Sequence, residues 1–295
     1  MGGSSPSKEA FDVTIKDHPA GQTLHGLVEY VAEQTPDKVC LKLPGGSGHT
    51  YKEIRDAALK CASYVVMLKG DTILLVADRS VGMLVSMLGV MRAGKAYCPV
   101  EPDYPPSRVE AMVSQAAIGQ VLVPKEQVPQ FVLDNFLEQP MLLDKRELEE
   151  PSSLILEAFA VADDGRVFKY QDTSIEAASD AAAVPAVVAD NSPAYVLFTS
   201  GSTGRPKGCC VPHRGSSLYG RAVAKVCNTS DSMNFVLKTP YVFDVHIQDI
   251  YSAFACGATL VIAPPGAHKD ASAVAELIAA EKINVSCFVP TMLVE

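Results

Sequence analysis

Apolar residues at Ile54, Ala57, Ala58, Cys61, Val65 and Leu68 recur every three or four positions, the spacing that lays one buried stripe along a helix. Thr50 and Glu53 open that stretch as a T-x-x-E capping box, which satisfies free N–H groups of a first turn. Thr72 to Ala77, by contrast, is apolar without interruption and suits a strand buried on both faces. The two patterns then alternate: helix over 81–92, strand at 96–100, helix over 107–117, strand at 120–123. A helix over Thr23 to Gln34, ended near Pro36, and a strand at Val39 to Leu43 precede them. From Asp144 to Asn191 the chain is rich in Asp, Glu, Ser and Ala with no long-range period, so it reads as connection with one hairpin around Asp164-Gly165. Alternation resumes with strands at 194–199 and 235–239, a helix from Asp244, a strand at 259–262, a helix over 271–282 and a strand at 285–289. Repeated β-α units predict an α/β fold with two lobes of largely parallel sheets covered by helices.

Composition narrows the function. With 295 residues, 48% hydrophobic and 20% charged, the chain can bury a large core and is not a disordered protein. A formal charge of −9 argues against nucleic acid as a partner, which calls for a basic surface. No apolar run approaches the roughly 18 residues of a membrane span, and Met1 to Ala10 lack a secretory hydrophobic stretch. The eight cysteines include no C-x-x-C pair, no metal-ligating set is assigned, and most thiols sit in apolar runs as small hydrophobes. Cys209-Cys210 reads as filler in a strand that follows a glycine loop, and the expected compartment is cytoplasmic.

That loop is the most informative segment. An apolar run from Tyr195 leads into Thr199-Ser200-Gly201-Ser202-Thr203-Gly204-Arg205-Pro206-Lys207-Gly208. Glycines let backbone N–H groups approach phosphate oxygens, hydroxyls donate hydrogen bonds, and Lys207 adds a positive charge. A Walker-type loop requires G-x-x-x-x-G-K-[ST], but five residues after Gly201 comes Pro206, and Gly208 follows Lys207. A flexible Ser/Gly linker explains the hydroxyls but neither the strand before them nor the P-K-G ending.

Thr199 to Gly208 resembles the signature loop of adenylate-forming enzymes, the AMP-dependent synthetases and ligases. Thr50-Tyr51-Lys52-Glu53-Ile54 is similar to an early helix start of that family. Gly94-Lys95-Ala96-Tyr97-Cys98-Pro99-Val100-Glu101-Pro102-Asp103-Tyr104-Pro105 resembles a segment typical of nonribosomal peptide synthetase adenylation domains, and Phe243-Asp244-Val245-His246 resembles their F-D-x-S segment. Glu101 stands in place of a usual Asp and Lys95 in place of a usual Gly. The resemblance runs from about Leu24 to Leu293 and implies the large N-terminal domain of such an enzyme. The expected division is a flexible tail over 1–20, a first α/β lobe over 21–143, a variable connection over 144–190 and a second lobe over 191–295 with the phosphate loop, incomplete at its C-terminal end.

The implied reaction is attack of a substrate carboxylate on the α-phosphorus of ATP, giving acyl-AMP and pyrophosphate, followed by acyl transfer to a phosphopantetheine thiol on a carrier domain. The resemblance makes Thr199, Ser200, Gly201, Ser202, Thr203, Gly204 and Lys207 the phosphate grip, with magnesium sharing the charge and with Lys207 and Thr199 closest to the chemistry. Phe243, Asp244, Val245 and Gln248 are the implied substrate residues, Asp244 holding the α-ammonium of an amino acid. If Asp244 opens a helix, Asp244, Val245 and Gln248 share one face, while His246 points away and packs. Capping that helix is the other reading of Asp244, and the sequence leaves both open. His213 resembles a residue that orders the helix after it.

Downstream Y-G-P-T-E and T-G-D segments, and the small C-terminal domain with its catalytic lysine, are not in the sequence, so that domain is expected in cis or in trans. Two alternatives stand beside the amino-acid reading: a catalytically inactive truncated binding or regulatory module, and a ligase of fatty or aryl acids. Asp244 argues against the latter.

Overall fold

The computed structural model describes residues 23–46, 48–125, 157–171, 174–177, 183–185, 187–200 and 206–293; the tail expected over 1–20 lies outside them. The first elements are α1 (Leu24–Gln34), β1 (Val39–Lys42), β2 (Gly48–Thr50), α2 (Tyr51–Val65), β3 (Thr72–Val76), α3 (Val81–Arg92), β4 (Ala96–Val100), α4 (Pro106–Gln115) and β5 (Gln120–Pro124). Next come β6 (Glu157–Val161), β7 (Val167–Gln171), β8 (Ser174–Ala177), β9 (Pro193–Ser200), β10 (Pro206–Pro212) and α5 (His213–Val226). The chain continues through β11 (Asn234–Leu237), α6 (His246–Cys256), β12 (Thr259–Ile262), a short 3-10 turn at Ala267–Lys269 and α7 (Ala271–Ala280).

Contacts divide the chain into two compact units. One comprises 53–212 and 240–244 and holds an eight-stranded sheet of order β10-β9-β4-β3-β5-β6-β7-β8. Its middle, from β9 through β4, β3 and β5 to β6, is parallel; β10 pairs antiparallel with β9 at one end, and at the other β7 pairs antiparallel with both β6 and β8. Both faces of the middle are covered, which is why its strands read as unbroken apolar runs. Alternate residues such as Leu74, Cys98, Val121 and Ala158 share one buried cluster with Val109, Met112 and Val113 of α4. Each of those α4 side chains contributes about 1.5–3 kcal/mol by leaving water. Every residue of α3 from Val81 to Met91 is buried, so that helix is apolar all round; Ser80 caps it by accepting the Met83 N–H at 3.1 Å.

The expected hairpin around Asp164-Gly165 is present as β6 and β7, and β8 extends it. Gly165 has φ +80, and a Cβ there would fall 1.9 Å from the Ala57 carbonyl oxygen, so this turn accepts only glycine.

The other unit comprises residues up to 52, 213–239 and 245 onward, and holds a four-stranded sheet of order β11-β12-β1-β2. Three of its strands are parallel, and β2, three residues too polar to show an alternation, pairs antiparallel with β1. Tyr51 is fully buried there and donates to the Ala258 carbonyl at 2.7 Å. His213, the first residue of α5, is fully buried, and its Nδ1 accepts the first N–H of α1 from Leu24 at 3.2 Å.

The linear order places β9 and β10 in a second lobe, but the strand order joins them to β3–β8, and it joins β1 and β2 to β11 and β12. Parallel strands need long crossovers, and nothing in those crossovers obliges the chain to return to the nearest strand in sequence. The strand expected at 285–289 is reduced to one bridge between Val285 and Phe235. Asn284 and Val285 both donate to the Asn234 carbonyl, at 2.8 and 3.2 Å, and a 3-10 turn at Pro290–Leu293 follows.

Candidate functional site

β9 is buried from Ala194 to Phe198 and becomes exposed at Thr199 and Ser200, its last two residues. β10 returns antiparallel, with Pro206 opposite Ser200 and Lys207 opposite Thr199. The two predicted phosphate-binding side chains at the ends of the loop are thus brought together by backbone pairing, and both are exposed. Gly201, Ser202, Thr203 and Gly204 lie outside the described residues.

Cys209 and Cys210 on β10 are exposed, as is Cys227, whereas Cys40, Cys61 and Cys98 are buried as the packing reading requires. Burial pushes the Cys61 and Cys98 thiols up to about 12, which keeps them protonated and inert. β10 ends its sheet, and that is why thiols in an apolar-looking run meet solvent.

Phe243 and Asp244 lie in a turn ahead of α6 and are exposed. The Phe243 N–H closes that turn on the Pro240 carbonyl at 3.1 Å. α6 begins at His246, with Val245 as its cap residue and no side-chain cap. The expected helix start at Asp244 is therefore two residues early, and Asp244 does not cap the helix. The shared face survives for Val245 and Gln248, three residues apart at the opening of α6. His246 is fully buried, as its expected orientation away from that face requires.

Three residues that the pattern did not single out shape these surroundings. Tyr241, fully buried two residues before Phe243, donates to the carbonyls of Leu75 at 2.7 Å and Val100 at 2.9 Å and so pins the turn to β3 and β4. Burial pushes its phenol well above the usual tyrosine range. Asp249 is buried on α6, and its Oδ2 accepts the Thr239 N–H at 3.1 Å. Burial raises its carboxyl, opposed by the Thr239 hydrogen bonds and by the charge of Lys238. Lys238 is itself buried, its ammonium 4.6 Å from the centre of the Phe288 ring. A charge at the end of an apolar strand and another inside the run Ile247 to Tyr251 were the available signals; the Tyr241 contact had none.

Gln248 is half buried, and its Oε1 accepts a hydrogen bond from the Tyr219 hydroxyl at 3.0 Å. Among the described residues, no group of three or more His, Cys, Asp or Glu is placed to hold a metal ion, and no helix is long and apolar enough to cross a membrane.

Residues 28–295 match the profile described as AMP-binding enzyme. Tyrocidine synthase 3 of Brevibacillus parabrevis is 31% identical over 95% of this chain, which spans 4% of that protein. Bacitracin synthase 2 of Bacillus licheniformis is 30% identical over 85% of this chain, which spans 8% of it. Among solved structures, the nonribosomal peptide synthetase FmoA3 is 26% identical with a TM-score of 0.70, over 92% of this chain and 26% of its own. IdnL7 shares the fold at 22% identity and a TM-score of 0.70, over 92% of this chain and 51% of its own. The chain thus spans a small fraction of the curated relatives it matches.

Proposed function

The chain belongs to the AMP-binding enzyme family, and from that premise we propose that it carries out AMP-forming activation of a carboxylic acid, in particular an amino acid. The observation that carries the reading is the β9–β10 hairpin, which holds Thr199 opposite Lys207 at the mouth of the Ser/Gly loop. Hydroxyls and an ammonium at that position suit the β- and γ-phosphates of ATP, and magnesium bound through those phosphates would share their charge. Phosphoryl chemistry of this type depends on positioning and charge stabilisation and needs no protein base at the carboxylate.

Asp244 presents an exposed carboxylate in the turn before α6, and in this reading it pairs with the α-ammonium of the amino acid. A fatty or aryl acid has no ammonium for it, which favours the amino-acid reading over the other ligase chemistry. Phe243, Val245 and Gln248 supply the remaining substrate contacts, and a phosphopantetheine thiol on a carrier domain is the acceptor.

Amino-acid-dependent ATP–pyrophosphate exchange, run on the protein as its gene encodes it against the protein amino acids, tests the reading. Exchange that Asp244→Ala abolishes supports it. Exchange driven equally by carboxylic acids lacking an amino group would sink the amino-acid assignment, and ATP binding without any exchange would favour a binding module.

A further inference from the structure

Tyr219 on α5 and Gln248 on α6 belong to helices that lie very close: a Cβ at Gly220 would stand 3.1 Å from the Tyr251 backbone. That packing holds the two side chains at a set separation, and the Tyr219 hydroxyl donates to Gln248 Oε1 at 3.0 Å. A carboxamide has an accepting end and a donating end, and a partner on one end decides which is left for a ligand. A phenol is the stronger donor and the weaker acceptor because its oxygen lone pair is shared with the ring. The contact therefore engages the carbonyl and leaves the amino group.

We propose that Tyr219 is a positioning residue that turns the Gln248 amino group toward the substrate, so that the site selects amino acids whose side chains carry a hydrogen-bond acceptor. The inference rests on the proposed place of Gln248 in the substrate site. A carbonyl or hydroxyl side chain pairs with the amide N–H groups. An apolar side chain of the same size leaves those donors unsatisfied, and an ammonium side chain meets donors with a donor. A site built around a hydrogen bond rejects the analogue lacking it more strongly than an apolar pocket rejects a changed methylene.

The test is pyrophosphate exchange by the protein as its gene encodes it, with asparagine, leucine and 2,4-diaminobutyrate as side chains of similar size. The expected order of kcat/KM places asparagine first. Tyr219→Phe is expected to reduce the asparagine-over-leucine ratio about fivefold, through KM with kcat little changed. Gln248→Leu is expected to remove the preference, and Tyr219→Phe to add nothing in that background. A preference removed by Gln248→Leu but untouched by Tyr219→Phe overturns the role of Tyr219 and leaves Gln248 in the site. A preference that Gln248→Leu does not move overturns the placement of Gln248 itself. Diaminobutyrate as the best of the three overturns the donor assignment.

Discussion

Lys207 stands directly across the β9–β10 ladder from Thr199. Directly opposed residues of an antiparallel pair project to the same side of the sheet, so hydroxyl and ammonium share one face at the mouth of the loop. A slip of one residue in the ladder would separate them, because side chains alternate between faces along a strand. The parallel pairing of β9 with β4 through Tyr195 and Tyr97, whose rings lie 5.6 Å apart, anchors the hairpin at its far end.

Lys207→Ala is expected to raise the ATP KM in pyrophosphate exchange by about 10-fold or more, the worth of a charge-assisted hydrogen bond to phosphate. Both residues of the pair are exposed, so the unfolding free energy from urea titration should stay within about 0.5 kcal/mol of wild type. An unchanged ATP KM would remove Lys207 from the phosphate grip.

Tyr241→Phe deletes the buried hydroxyl that serves the Leu75 and Val100 carbonyls. Loss of about 1–2 kcal/mol of stability in urea unfolding is expected. The same change frees the Phe243-Asp244 turn, so amino-acid KM should rise together with the loss of stability.

Gly165→Ala forces a left-handed conformation on a residue with a Cβ and drives that Cβ into the Ala57 carbonyl. Destabilisation of at least about 2 kcal/mol is expected from strain and overpacking together. A neutral result in thermal unfolding would show that the β6–β7 turn moves away from α2 without cost.

Glu281 accepts from Lys42 Nζ at 2.6 Å and from the Gly45 N–H at 2.8 Å. The Lys42 hydrogen bond, then the Gly45 N–H, hold its carboxyl below the ordinary glutamate value of 4.5. A lowered folded-state value means the stabilisation is complete above 4.5 and is lost as pH falls through the folded value. Glu281→Gln should therefore be less stable than wild type at neutral pH, with the gap closing progressively below pH 4.5. A gap of constant size in urea midpoints across that range would show that the carboxylate charge is irrelevant.

How much of this was legible depended on how local the cause was. Apolar period and length sufficed for α3 and β4, whose bounds match the expectation residue for residue, because each is buried on all sides and nothing distant alters its pattern. The opening of α6 was misplaced because Asp244 looks like a cap in sequence, while a turn bond from Phe243 to Pro240 decides where the helix starts. Loop chemistry and a family likeness made Thr199 and Lys207 candidates, but their direct opposition is a matter of register. Tyr219 with Gln248 and Tyr241 with Val100 join positions 29 and 141 apart, and no period in the chain encodes such a meeting.

The interleaving of the two units also orders events during synthesis. Leu41 of β1 pairs with Leu260 of β12, so a strand finished early waits for a partner 219 residues (260 − 41) further along. At about 5–20 residues per second, that wait lasts about 10–45 s. The eight-stranded sheet draws all its strands from one continuous stretch and can close meanwhile as the nascent chain emerges. Until β12 leaves the ribosome, the edge of Val39–Lys42 that pairs with it stays open, exposed to wrong strand pairing.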